Sequence, residues 1–531
     1  MAVDAGPAGR RQPPAPLPAE GGRRQSWWRA VGHPVVIACL VTAAGALVWI
    51  IAFPRVGTDL SAALVRADWA SRYPAAAYLF SWYGGFHPAS YSLLAPYLLA
   101  IVGTRLAMAI AAVISAGLLS LLLVRHNVPR PRAAALWVAV ALWTELSAGR
   151  AAFTLGLAAA LGCVAVADVS FPRTRGRLLA AAALALLCCL LSPVAAVFLG
   201  VVAAAFAVGR HWPQAAVITV AASLPLALMA LFADGGAQPI SLQNWLPPLL
   251  AVAAVLLLIP RRWRLLRVGA VIYGLGIILT WLIPSLVGSN VARLGELLAG
   301  PLLVGIGRAR YRWLLAVALG AAGIWQVAQP IADLGQGNAP AYAPQTAALV
   351  HELRVLRADT ARVEAVPQYG HWESQELASV VPLARGWERQ LDIERNPLFY
   401  GRILTPVAYY AWLRHNAVRY VAISTGTPDP AAVAEAATVR EGQPWLVPVW
   451  RNGFWQLYRV VGTDPLASPP AVVTDTTPAQ ITLRMSRAGT TVVRVHWSPL
   501  LTAAGAVVTQ AGPWTRVTVR QPGSYVLQGR Y

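Results

Sequence analysis

Residues 34–60 read PVVIACLVTAAGALVWIIAFPRVGTDL. The run 34–53 is about 20 apolar residues, enough to span a bilayer and too long for the core of a signal peptide. An arginine, Arg55, and an acid, Asp59, follow at once. Upstream, residues 1–33 are rich in Pro, Gly and Arg (Arg10, Arg11, Arg23, Arg24, Arg29), the composition of a disordered basic tail. Basic flanks stay on the cytoplasmic side of a span. The tail is therefore expected inside the cell and Asp59 outside it.

The same alternation continues to residue 332. The 531-residue chain is 57% hydrophobic and only 12% charged, about half the charged fraction of a soluble domain. It contains no lysine, so its net charge of +21 rests on arginine, a usage that points to a high-GC bacterial genome. Those arginines fall in short loops between apolar runs, at 125–132, 173–177, 210, 261–267 and 308–312. That is the positive-inside pattern, and it argues against a nucleic-acid partner. Matching apolar runs to basic loops predicts about eleven spans, at 34–53, 105–124, 132–146, 151–169, 177–192, 194–209, 213–232, 246–260, 266–284, 291–307 and 312–330. Residues 88–102 are too short for a span and read as a helix lying on the outer surface, inside a long outer loop, 54–104. The expected fold is an α-helical polytopic domain over 34–332, multi-pass in the cell (plasma) membrane. Its N-terminus would be cytoplasmic and the C-terminal part extracytoplasmic. Cys39, Cys163, Cys188 and Cys189 all lie in apolar segments, so no disulfide framework is expected outside.

From residue 333 the composition is that of ordinary soluble protein. After the turn-rich stretch 335–344, residues 345–365 look helical, and 418–424 (VRYVAIS) and 454–461 (FWQLYRVV) read as strands. An extracytoplasmic α/β domain is expected over 333–465. Beyond it, turn pairs such as Ala488-Gly489 and Pro522-Gly523 separate short strands at 481–486, 492–497, 515–519 and 525–528. They predict a β-sandwich-like domain over 466–531.

The first outer loop is rich in acids and aromatics. Arg66 lies seven residues after Asp59 and shares its helical face; Asp68 falls on the opposite face. Asp59 reads either as a catalytic base or metal ligand near the membrane surface, or as a helix-capping or solvated aspartate. Tyr83 and His87, with Trp82 and Tyr91 around Gly84-Gly85, offer faces for stacking on a sugar; the alternative is an interfacial aromatic belt. In the second outer turn, Glu145 and Arg150 sit at a membrane edge. There an arginine either grips a phosphate or snorkels to the interface. Arg293 starts a span on the outer side, with Glu296 one helical turn on as a local ion-pair partner. The segment 384–402 (ARGWERQLDIERNPLFYGR) reads as a surface that contacts a ligand or docks on the membrane domain, with docking the favoured use. Phosphate-binding loops, dinucleotide fingerprints and hydrolase elbows are absent from the sequence.

An acid just past the first span, a long outer loop, and a short apolar outer helix ending in Gly103-Thr104-Arg105-Leu106 resemble the C-type membrane glycosyltransferases (GT-C fold). These include mannosyl-, arabinosyl- and aminoarabinose transferases of bacterial envelopes, and the likeness here is of actinobacterial type. The resemblance covers the membrane domain. It implies transfer of a sugar from a polyprenyl-phosphate donor to an envelope glycan or glycoprotein acceptor at the outer face, with inversion of the anomeric centre. Asp59 would be the base, or would help bind a divalent metal such as Mg or Mn. Glu145 would match the second-loop acid, and Arg66, Arg150 and Arg293 would stand near the donor phosphate. Where many members carry a second acid, this chain has Leu60. Two other classes compete. A secondary transporter would show related halves and broken helices near the midplane, which the sequence lacks. A non-catalytic envelope scaffold would keep the fold and need no Asp59.

Overall fold

The computed structural model describes residues 32–231, 234–336, 342–401 and 403–531. The expected basic tail lies outside the described residues up to residue 31.

Proline and hydroxyl side chains start the apolar helices. α1 (Pro34–Ala52) opens on Pro34, with His33 accepting from the Val35 N–H. In the outer loop follow α2 (Leu60–Arg72) and α3 (Ala95–Val102). Gly103, at φ +89°, reverses the chain into α4 (Thr104–Arg125), a conformation open to glycine at no steric cost. α5 (Pro131–Ser147), α6 (Ala151–Ala167) and α7 (Arg175–Leu191) come next. α8 (Pro193–Val208) is capped by Ser192, which accepts from the Ala195 N–H. The helical part ends with α9 (Trp212–Leu231), α10 (Leu242–Leu258), α11 (Arg264–Leu282), α12 (Ala292–Ile306) and α13 (Arg312–Gln336).

Each expected span thus has its helix, but the expected number of crossings is not met by length. Among the described residues, four helices are long and apolar enough to cross a membrane: Pro34–Ala52, Thr104–Arg125, Arg264–Leu282 and Ala309–Asp333. The reason is geometric. α6 and α8 have 17 and 16 residues; at ~1.5 Å per residue they reach roughly 25 Å, short of a hydrocarbon core of about 30 Å.

The arginine-rich loops meet the C-terminal ends of helices: Arg125 donates to Ala165 O (3.4 Å) and Arg308 to Ile259 O (3.4 Å). There they satisfy the last carbonyls of neighbouring helices. Arg177 donates to Val166 O (2.7 Å), Arg130 to Gly307 O (2.5 Å) and Arg267 to Ile259 O (3.1 Å), where the helix dipole favours a cation.

In the outer part, α14 (Tyr342–Val355) is shorter than the expected helix. The chain turns at Arg357 (φ +51°) and enters strand β1 (Arg362–Ala365). A strand bearing Arg362 and Glu364 does not read as buried. It is buried because Arg385 pairs with Glu364 (2.9 Å) and Arg362 donates to the Asn416 carbonyl (2.8 Å). With β2 (Val418–Ser424), β3 (Leu446–Arg451) and β4 (Trp455–Val460) it makes a four-stranded sheet of order β1-β2-β4-β3, in which only β1 and β2 run parallel. The short helices α15 (Trp372–Glu376), α16 (Arg389–Arg395), α17 (Pro406–His415) and α18 (Val433–Arg440) surround it.

The C-terminal strands pack as two sheets. One orders β5 (Ala471–Thr477), β6 (Gln480–Met485), β11 (Gly523–Gly529) and β8 (Leu501–Ala503); the other orders β7 (Gly489–His496), β10 (Trp514–Val519) and β9 (Ala506–Ala511). Leu483, Val493, Val517 and Leu527 meet between them, fully buried. The expected strands correspond to β6, β7, β10 and β11; β5, β8 and β9 were not anticipated.

The first outer loop ties these parts together. Leu383 N donates to Ser81 O (2.8 Å), Phe80 N to Pro478 O (2.7 Å) and His496 N to Gly84 O (2.9 Å). Trp82 is fully buried and donates from Nε1 to Ser374 O (3.0 Å). From the other side, Arg395 of α16 reaches Asp234 (3.2 Å) and Gln390 reaches the Leu286 carbonyl (3.4 Å), so 384–402 does dock on the helices.

Candidate functional site

Asp59 stands at the N-cap of α2, where an aspartate ordinarily accepts a backbone N–H. Its side chain makes no such bond. The backbone instead is pinned to the turn between α5 and α6, Asp59 N donating to Ala148 O at 3.2 Å. Its Oδ2 accepts from Arg293 Nη2 at 3.4 Å, and the carboxylate keeps 32% exposure. It is an open acid beside a cation, not a cap.

Arg293, the second residue of α12, also lies over the Phe153 ring at 5.3 Å. Arg150, at the N-cap of α6, donates from Nη1 to Glu145 (2.9 Å) and to Glu296 (3.0 Å). Glu145 is 2% exposed. Both arginines lie within electrostatic reach of Asp59. The structure therefore brings Asp59, Glu145, Arg150 and Arg293 together at the ends of four elements that meet only in three dimensions. Glu296 does not pair with Arg293 as the helical spacing suggests. Arg293 is taken by Asp59, and Glu296 turns to Arg150.

The remaining candidates make no direct bond to these four side chains, although Arg66 reaches the same Tyr91 that Asp59 and Arg293 act on. Arg66 pairs with Glu388 at 2.5 Å and is 5% exposed, its guanidinium over the Tyr91 ring at 4.5 Å. Tyr83 is buried; its hydroxyl accepts from Glu388 N (2.9 Å). Burial, reinforced by the Asp392 charge, holds that phenol well above its ordinary pKa, so it stays a neutral structural group. His87 bonds Asp234 (2.7 Å) and Ser498 (2.8 Å). Tyr83 is an interior part of the domain junction, 3% exposed, whereas His87 keeps 14% exposure between Asp234 and Ser498.

Sequence reasoning places Tyr91 only in the aromatic cluster of the loop and assigns no role to Asp333. Asp59, Arg66, Arg293 and Glu388 all act on the Tyr91 hydroxyl. The charge of Asp59 also reaches Asp333 on α13, which accepts from Gln329 (2.8 Å) and Tyr369 (3.2 Å). A tyrosine in an aromatic-rich loop and an acid 274 positions away carry no pattern that links them to Asp59.

The donor set does not fit a divalent metal. Asp59 faces a guanidinium, and Arg150 already holds Glu145 and Glu296. Among the described residues, no group of three or more His, Cys, Asp or Glu side chains is placed to hold an ion.

Beside the cluster, an apolar cavity of about 600 Å³ opens between the helices. Leu294, Gly295, Leu298, Ala299, Leu302 and Ile306 of α12 line one wall, beginning one residue after Arg293. The cavity ends among His126, Asp168, Arg262 and Arg264 at the arginine-rich end.

No protein-family model matches the chain, and no curated protein sequence does. Its backbone is similar to solved cryo-EM structures of the arabinofuranosyltransferase AftD from Mycobacteria. A mutant form gives a TM-score of 0.47 at 14% identity over 95% of this chain and 60% of that one. Another structure of the enzyme gives 0.47 at 17% identity over 87% and 41%, and a second class of the mutant 0.46 at 14% over 94% and 60%. The chain thus spans 41–60% of the length of the chains it matches, and at that level of similarity no activity passes from them to it.

Proposed function

We propose that this chain is an integral membrane glycosyltransferase that moves a sugar from a polyprenyl-phosphate donor to an envelope acceptor at the outer face. The carrying observation is Asp59: a half-buried carboxylate that forgoes its capping bond and stands beside Arg293, whose chain neighbour Leu294 lines an apolar cavity between the helices. In this reading all eleven apolar helices cross or fill the membrane, with the arginine-rich loops in the cytoplasm and the β-rich part outside.

The chemistry follows from the geometry. The acceptor hydroxyl attacks the anomeric carbon while Asp59 takes its proton. The bond from that carbon to the phosphate oxygen breaks on the opposite face, and the electron pair leaves with the polyprenyl phosphate. Arg293 offsets the charge that develops there, and Arg150 stands close behind. Glu145 is locked by Arg150 and acts by positioning that arginine. The apolar cavity suits the isoprenoid chain.

One observation favours the scaffold reading: Asp59 and Arg293 already balance each other at 3.4 Å. The two readings separate in membranes supplied with radiolabelled polyprenyl-phosphate sugars, wild type against Asp59→Ala at matched expression. An enzyme loses at least ~100-fold in transfer with the base. Equal transfer removes Asp59 from the mechanism, and no transfer by the wild type with any donor supports the scaffold.

A further inference from the structure

The β-sandwich carries charge of almost one sign. Over residues 466–531 stand Arg484, Arg487, Arg494, Arg516, Arg520 and Arg530 against a single acid, Asp475. In the proposed orientation these arginines face the exterior of the cell, where the positive-inside rule gives no reason for them. Among the described residues only Arg494 of this set has a carboxylate partner, Asp464 at 2.9 Å. Like charges held on one small domain repel each other and weaken the compact state, so a cluster of them points to an anionic partner.

The strand register gathers three of these arginines at one end of the sandwich. Met485 of β6 pairs with Gly523 of β11, and Gly489 of β7 with Val519 of β10. The turns 486–488 and 520–522 therefore lie side by side, each crossing from one sheet to the other. Arg487 and Arg520 stand in these turns. Arg484, one residue before the end of β6, faces outward beside Ser524, and all three side chains are exposed. Asp475 lies across from Thr482, nearer the opposite end. That opposite end holds the junction: Phe80 N donates to Pro478 O, His496 N to Gly84 O and Ala77 N to Gly529 O. The six residues of β6, at ~3.3 Å each, set the arginine tip roughly 20 Å from the loop 73–94.

We propose that this tip docks a polyanionic glycan of the cell envelope. Its guanidiniums spread over two turns and a strand, an open surface and not a pocket, which fits repeated charges on a polymer better than one small anion. The planar fork of arginine matches phosphate and carboxylate oxygens alike, so phosphodiester-linked and uronate glycans share the required chemistry. The tip stands at the end away from the loop that packs on the helices, so the bilayer around those helices is not its partner. The inference rests on the proposed orientation and needs no glycosyl transfer.

Binding of the full chain, in nanodiscs of zwitterionic lipid, to immobilised poly(glycerol phosphate), polygalacturonate and neutral dextran tests this. The wild type should bind at least one of the two anionic polymers and not dextran, and the binding should weaken as salt rises from about 0.05 to 0.5 M. Which polymer binds tells phosphate from carboxylate as the source of charge. The triple variant Arg484→Gln/Arg487→Gln/Arg520→Gln should weaken binding by at least ~10-fold through the loss of three charge contacts. Its positions are exposed, so its thermal melting should match the wild type; if it does not, the turn variant Arg487→Gln/Arg520→Gln takes its place. A control removing the same charge elsewhere, Arg173→Gln/Arg175→Gln/Arg310→Gln, should keep the wild-type affinity. Binding of neither anionic polymer by the wild type overturns the inference. So does an unchanged affinity in the tip variant, or an equal loss in both triple variants, which would make net charge the cause. Maleimide labelling of Arg487→Cys in intact cells tests the orientation separately.

Discussion

Arg150 shows how a single side chain holds this site in shape. It bridges Glu145, 2% exposed, and Glu296, 22% exposed, from different helices. Truncation leaves the buried Glu145 without its cation, a change that costs about 3–5 kcal/mol. Arg150→Met should therefore lower the melting temperature in detergent, and Glu145→Gln in the same chain should restore much of the loss. If Arg150→Met melts like the wild type, the network does not hold the helix ends. His371 makes a second residue-level case, in the outer domain. It is buried against the Trp387 ring (3.4 Å between centroids) and between Asp429 (3.2 Å) and Glu373 (3.6 Å). Burial opposes its charge, but the neighbouring carboxylates of Asp429 and Glu373 prevail and raise its pKa. With the folded value raised, the stabilisation is complete below the ordinary histidine value of about 6.5 and fades as pH rises through the folded value. Melting of the wild type should fall between pH 6 and 8.5, and His371→Phe should flatten that slope. An identical slope in the variant would assign the pH dependence to other groups.

At the scale of elements, the loop 73–94 is the strut of the molecule. Its backbone pairs with the α/β domain at Ser81, with the β-sandwich at Phe80 and Gly84, and its Trp82 fills the space beneath Gly386. Gly84, at φ +73°, leaves no room for a side chain, because a Cβ would meet Arg362 Nη2 at 2.7 Å. Trp82→Ala should cost about 3–5 kcal/mol and open the junction. Limited proteolysis should then release the outer part faster than in the wild type; unchanged cleavage would show that other contacts hold it. The aromatic richness of this loop was legible in the sequence, but its use was not. Composition alone does not separate an open sugar platform from an interior seam. What decides is burial against residues 290 or more positions away, such as Ser374.

For the whole molecule, the proposed orientation rests on charge asymmetry. Arg173 and Arg310 are exposed at the arginine-rich end, whereas Arg487 is exposed on the β-sandwich. In intact cells a membrane-impermeant maleimide should label Arg487→Cys, and label Arg173→Cys or Arg310→Cys only after permeabilisation. Labelling of Arg310→Cys in intact cells would break the eleven-crossing topology. The apolar runs, their helices and the β character of the last 60 or so residues were readable from sequence, because hydropathy, turn chemistry and period-two alternation are local properties. The strand β1 and the helix lengths were not. A strand carrying Arg362 and Glu364 is buried only because Arg385 and a backbone carbonyl wait for it elsewhere in the chain. The candidate site divides the same way. The sequence by itself determined which acids and arginines stand at the outer ends of the helices. Only the tertiary structure decided which of them meet: Asp59 with Arg293, 234 positions apart, and Arg66 with Glu388, 322 apart. The physical reason is that an ion pair is chosen by distance in space and by burial, and neither is encoded in the spacing of residues along the chain.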